Sequence, residues 1–213
     1  MKLTVDELYE VLVAFREHLV PCWRRYHEDG RSNFNRNMDG SVPEIVSTLT
    51  CRHTSAFLYK HLKALGLDDL RARGGMMRHA EPLGAEEFYD NSRKDASDPS
   101  WRIVDEDGYM WEPHYWLEHG DLVVDITKDQ FGWEFSDIHD LEIAEMIYEA
   151  KPALCGNGLL RGLKSTVSKF EGEAQTYWQD RDPHFQEVRE SFELTMKRVR
   201  DLIPSSANAA AMR

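Results

Sequence analysis

Helical spacing at both ends of the chain and a hairpin pattern between them predict an α+β protein, with helices first, an antiparallel sheet next and a C-terminal helical layer last. Three observations carry this reading. Thr4 and Glu7 form a capping box ahead of apolar residues at helical spacing. Two strand-like runs, Tyr109 to Glu118 and Asp121 to Thr127, flank a tight His119-Gly120 turn. Asp182 and Pro183 open an amphipathic stretch that stops at Pro204.

The first helix places Leu8, Val11, Leu12, Phe15, Leu19 and Trp23 on one stripe, and Pro21 is expected to kink or interrupt it. From Asp29 to Ser41 the chain is rich in Gly, Asn, Ser and Asp, residues that compete locally for backbone hydrogen bonds and favour turns. Thr48 and Thr50 are candidate caps for a second helix. Its apolar residues Ala56, Phe57, Leu58, Leu62 and Leu65 lead to a stop at Gly66. That start puts Cys51 in the first turn. The run R-A-R-G-G-M-M reads as a strand, and residues 79–100 as a long polar loop.

Three strand candidates follow: Trp101 to Val104, Tyr109 to Glu118 and Asp121 to Thr127. In a pleated strand Met110, Glu112, His114 and Trp116 share one face. Beyond them, helical segments are expected at Asp140 to Ala150, at Leu159 to Trp178 and after Pro183. The last carries Phe185, Val188, Phe192, Met196, Val199 and Ile203 on one stripe. We therefore expect one domain over 1–213: a core at about 45–132, helical additions at 1–44 and 133–204, and a fraying tail at 205–213.

Composition narrows the function. Acidic residues number 38 against 26 basic, and the net charge of -12 repels a phosphate backbone, so nucleic acid is not an expected partner. No apolar run approaches the roughly 20 residues that span a bilayer, and M-K-L-T-V-D-E-L-Y-E lacks the apolar segment of a signal peptide. No membrane association is expected, and a cytosolic setting is the simplest inference. The three cysteines, Cys22, Cys51 and Cys155, lack C-x-x-C spacing, which favours neither a disulfide scaffold nor a zinc knuckle. His53 and His61 pair with no other ligand at metal-binding spacing and read as exposed helix histidines; no metal or cofactor is expected.

What remains is thiol chemistry. Cys51 at a helix start is followed by His114 and then Asp125: nucleophile, base and orienting carboxylate in order. Helix N-termini and imidazoles are the surroundings that stabilise a thiolate. Only eleven positions separate His114 from Asp125 across the hairpin, so the two can stand on neighbouring strands about 5 Å apart. A buried Asp accepting the imidazole N–H fixes the tautomer and stabilises the imidazolium.

The helix-start Cys, the helix ending in Leu-Gly, the strand R-A-R-G-G, then H-Y-W-L-E and V-V-D-I-T together resemble the transglutaminase-like superfamily of papain-type cysteine enzymes, over roughly residues 45 to 132. The resemblance implies Cys51 as nucleophile, His114 as general base and Asp125 as its orienter. It implies an amide-bond hydrolase or acyltransferase acting on a peptide or protein amide through a thioester, with hydrolysis favoured over cross-linking.

His119 is the rival for the base. The Cys51 amide is the natural first oxyanion donor; Asn33, Asn35, Asn37 and Gln130 are open candidates for the second. Trp111, Tyr115 and Trp116 either wall the cleft or belong to the core. Acidic segments such as D-E-D-G read as solvated faces. A phosphatase-like thiol site is disfavoured, since Cys51 is followed by Arg52 and then by no arginine until Arg71. The alternative from another class is an inactive relative that keeps the fold and binds a protein partner. Oligomeric state is not legible.

Overall fold

The computed structural model describes residues 3–28, 43–47, 50–82, 103–134 and 185–203. The chain divides into two compact units, Met1–Leu70 with Glu171–Arg213, and Arg71–Phe170. The fold is α+β. Three described helices, α1 (Val5–Glu28), α2 (Cys51–Ala64) and α3 (Phe185–Leu202), belong to the first unit; the sheet, from Arg71 on, belongs to the second. Among the described residues no helix is long and apolar enough to cross a membrane.

The capping box forms as expected. The Thr4 amide donates to Glu7 Oε2 at 2.8 Å, and the Glu7 amide donates to Thr4 Oγ1 at 3.2 Å. All six apolar residues of the expected α1 stripe are buried. Pro21 does not interrupt the helix, which runs through it to Glu28. A helix-interior proline costs roughly 3 kcal/mol, and the buried Leu19, Cys22 and Trp23 around it offset that by keeping the stripe on the core.

Helix α2 ends in a Schellman motif. Gly66, at φ 91, donates its amide to Lys63 O, and Leu67 donates to Leu62 O. Leu62 and Leu67 are fully buried, the apolar contact that accompanies such an end. At the other end Thr50 occupies the cap position without capping. Its hydroxyl donates instead to Ser47 O at 2.6 Å.

Helix α3 packs against α1. Phe57 and His61 of α2, His18 of α1 and Phe192 of α3 stack in one cluster, with His61 centred 4.5 Å from Phe57 and 4.6 Å from Phe192. His18 Nδ1 lies 3.1 Å from Ser191 Oγ. The expectation of an exposed His61 is therefore corrected: it is 8% exposed, because its ring fills a gap among phenyl groups.

The sheet of the second unit has the order β1-β3-β2, with β4 also paired to β3, where β1 is Leu70–Pro82, β2 Ile103–Val104, β3 Tyr109–His119 and β4 Leu122–Val124. Strand β2 runs antiparallel to β3, with Ile103 opposite Trp111. Strand β4 is also antiparallel to β3, with His119 opposite Leu122 across a two-residue turn whose Gly120 has φ 57.

Strand β1 is longer than its apolar run. Its polar end is held because His79 meets Glu112 on β3 at 3.2 Å and Arg78 lies over the Tyr109 ring at 4.3 Å. In the D-E-D-G run Glu106 and Asp107 are exposed, while Asp105 is half-buried and hydrogen-bonded. It accepts from the amides of Asp107 and Tyr109 and from Trp111 Nε1 at 2.8 Å, so it organises the turn between β2 and β3. Burial pulls its pKa upward, and these donors, with the Arg78 charge, outweigh that and leave it lowered.

Met77, Trp116, Val123 and Phe131 form a core cluster of this unit, with Trp133 packed against it. A 3-10 helix, Lys128–Phe131, closes at Gly132, whose φ is 80. Residues 83–100, Trp101, the expected helices within 140–178, Cys155, the Asn-rich loop, Thr48, Asp182 and Pro183, and the tail 205–213 lie outside the described residues.

Candidate active site

The register of the hairpin builds half of the site. Leu117 pairs with Val124, so the next residue, Asp125, falls in line with Trp116, on the face that Trp116 shares with His114. The two functional side chains are thus diagonal neighbours, within reach of longer side chains. Strand β4 ends at Val124, and Asp125 is where the chain turns away from the sheet.

His114 Nε2 lies 2.6 Å from Asp125 Oδ2, and both side chains are buried, at 0% and 2% exposure. The other carboxylate oxygen, Oδ1, accepts the Thr127 amide at 2.8 Å and the Thr127 hydroxyl at 2.9 Å. Burial acts to raise the Asp125 pKa. The charge and hydrogen bond of His114 and the two donors of Thr127 act against it, and the carboxyl is held below its ordinary value. An ionised carboxylate accepts a hydrogen bond and cannot donate one, so Nε2 is the protonated nitrogen that faces it, and in the neutral ring Nδ1 carries the basic lone pair.

Aromatic rings fix the imidazole plane. Trp116 stacks on it at 6.2 Å and 14°, and Phe131 meets it edge-on at 4.7 Å and 77°. Trp111 instead serves the β2–β3 turn through Asp105. His119 is the last residue of β3, opposite Leu122.

Cys51 belongs to the first unit and the His114–Asp125 pair to the second. It is the first residue of α2, its thiol is free, and it is half-buried, whereas Cys22 is buried in α1. The Thr54 amide donates to Thr50 O at 2.9 Å, which places the Cys51 amide among the N-terminal groups ahead of the hydrogen-bonded ladder. Among the oxyanion candidates, Gln130 already donates Nε2 to Thr127 O at 2.8 Å; Asn33, Asn35 and Asn37 are outside the described residues. Among the described residues no group of three or more His, Cys, Asp or Glu side chains is placed to hold a metal ion.

The roles of Thr127 and Phe131 were not expected; both residues lie in the D-I-T-K-D-Q-F segment that follows β4, and that segment is the signal that could have found them. Comparison of the chain with protein-family models, curated proteins and solved structures finds no match.

Proposed function

We propose that this chain is a cysteine-dependent amide-bond hydrolase or acyltransferase with a papain/transglutaminase-like core, acting on a peptide or protein amide in the cytosol. The buried His114–Asp125 pair, with Thr127 on the far carboxylate oxygen, carries this reading. A proton passes from Cys51 Sγ to His114 Nδ1, and sulfur attacks the amide carbonyl carbon. The C–N bond breaks, the amine leaves with the imidazolium proton, and a thioester remains. Water, or less favourably an amine, then attacks. His114 takes its proton, the C–S bond breaks, and the returning proton restores the thiol.

The test is labelling with a thiol-directed electrophile, read by peptide mass spectrometry. Cys51 should be modified in the parent at neutral pH, and His114→Gln should slow its modification about 100-fold while circular dichroism stays unchanged. Labelling confined to Cys22 or Cys155, or a Cys51 rate indifferent to His114→Gln, overturns the proposal. The complete burial of His114 favours a second reading, a non-catalytic protein-binding module, and that indifferent rate is its signature.

A further inference from the structure

We infer that Thr127 is the positioning residue of the imidazole–carboxylate pair: its amide and hydroxyl hold Asp125 Oδ1 so that Oδ2 faces His114 Nε2 and the ring keeps Nδ1 as its base. The kinetic consequence rests on the cysteine-hydrolase reading; the positioning itself does not.

Asp125 is the first residue past β4. Two donors from a single residue two positions on hold its Oδ1, at 2.8 and 2.9 Å. Thr127 is 1% exposed, so water cannot substitute for its hydroxyl, and a β-branched side chain has little rotamer freedom. Its own backbone is held by the 3-10 helix. The Gln130 amide and Gln130 Nε2 both donate to Thr127 O, at 3.3 and 2.8 Å, and Gly132 closes that helix by donating to Asp129 O at 3.0 Å.

The same helix supplies Phe131, edge-on to the imidazole and anchored in the core cluster. One short segment thus grips His114 twice, at its Nε2 edge through Thr127 and Asp125 and on its ring through Phe131. A turn needs only the amide-to-carboxylate bond. The hydroxyl adds a second donor to the same oxygen, and that excess is what a positioning role uses.

The experiment compares the parent, Thr127→Ser and Thr127→Val in the full chain. Each variant keeps the backbone amide, and only Val lacks the hydroxyl. The first readout is the ring 15N resonances of His114. Parent and Ser should show one fixed tautomer with its proton on Nε2, and Val a mixture of tautomers. The second readout is the pH profile of Cys51 alkylation, whose acid limb should move by about one pH unit in Val and return to the parent position in Ser. If Val does not fold, Thr127→Ala, which leaves space rather than an apolar clash, replaces it.

A folded Val or Ala variant with the parent's His114 resonances overturns the inference. If the resonances respond but parent Cys51 shows no limb that depends on His114, the hydrolase reading falls and the positioning role stands.

Discussion

Acid should loosen the helical unit, and two histidines set by how much. His18 and His61 are 6% and 8% exposed in the cluster that joins α1, α2 and α3. Burial, followed by the Arg25 charge, lowers His18 from 6.5 to about 4. Burial, followed by the charges of Lys60 and His18, does the same to His61. Unfolded, each ring takes up its proton near pH 6.5; folded, it resists until about pH 4. Between those limits the unfolded state binds more protons, so the unfolding free energy falls as pH falls, and the stabilisation is complete only above the unfolded value.

At 1.36 kcal/mol per pH unit each gap amounts to about 3 kcal/mol. Part of the His61 shift comes from His18, so the two overlap, and about 3 to 6 kcal/mol covers the pair. That is a large share of an ordinary domain's stability. The assay is urea denaturation followed by circular dichroism from about pH 7.5 down to about pH 4.5. The parent is compared with a double variant, His18→Gln and His61→Phe. Phe preserves the stacking on Phe57 and Phe192, and Gln keeps a polar atom for Ser191. The parent's stability should fall more steeply, by up to about 2.7 kcal/mol per pH unit. Asp125, whose lowered pKa also withdraws stability in acid, is common to both proteins and cancels. Equal slopes would refute the reasoning, since they would mean that the folded state protonates these rings as readily as the unfolded one.

Two further substitutions test local physics. Thr54, 1% exposed, accepts the Trp23 indole N–H at 3.1 Å; Thr54→Val leaves that buried donor unsatisfied and should lower urea-determined stability by about 1 to 3 kcal/mol. Gly132 has φ 80, and an added Cβ would meet the Ala80 Cβ at 3.4 Å, whereas Gly120, at φ 57, has open space around it. Gly132→Ala should therefore cost about 1 to 2 kcal/mol and lower the thermal midpoint more than Gly120→Ala does.

Features written in a few consecutive residues were legible in the sequence. Thr4 and Glu7 cap α1 because the partners are three positions apart, and Gly66 ends α2 because only the local backbone is involved. The His114–Asp125 contact was legible too, since a two-residue turn fixes hairpin register and register fixes faces. Features decided by remote partners were not. His61 looked like a surface residue because Phe192, which buries it, lies on a helix far along the chain. The turn-organising role of Asp105 was hidden because its third donor is the indole of a strand residue. Thr50 is a local exception: it stands where a cap belongs, yet its hydroxyl turns back to Ser47 O, an equally near acceptor. Thr127 looked like one more strand residue because the strand was expected to run through it, and it ends at Val124.

The contrast between the buried histidines shows what turns an imidazole into a candidate base. His18 and His61 are enclosed by phenyl rings with cations nearby, and every neighbour that matters opposes a positive charge on them. They are held neutral, and a group that resists protonation until about pH 4 is a poor acceptor for a thiol proton at neutral pH. His114 is buried more completely than either, yet it faces a carboxylate that its own charge and hydrogen bond, with the two Thr127 donors, hold ionised, so positive charge on the ring meets a fixed counter-charge. Depth of burial does not separate the two cases. The charge of the first hydrogen-bonded neighbour does, and for His114 that neighbour is supplied by a residue just past a strand end and held by the turn behind it.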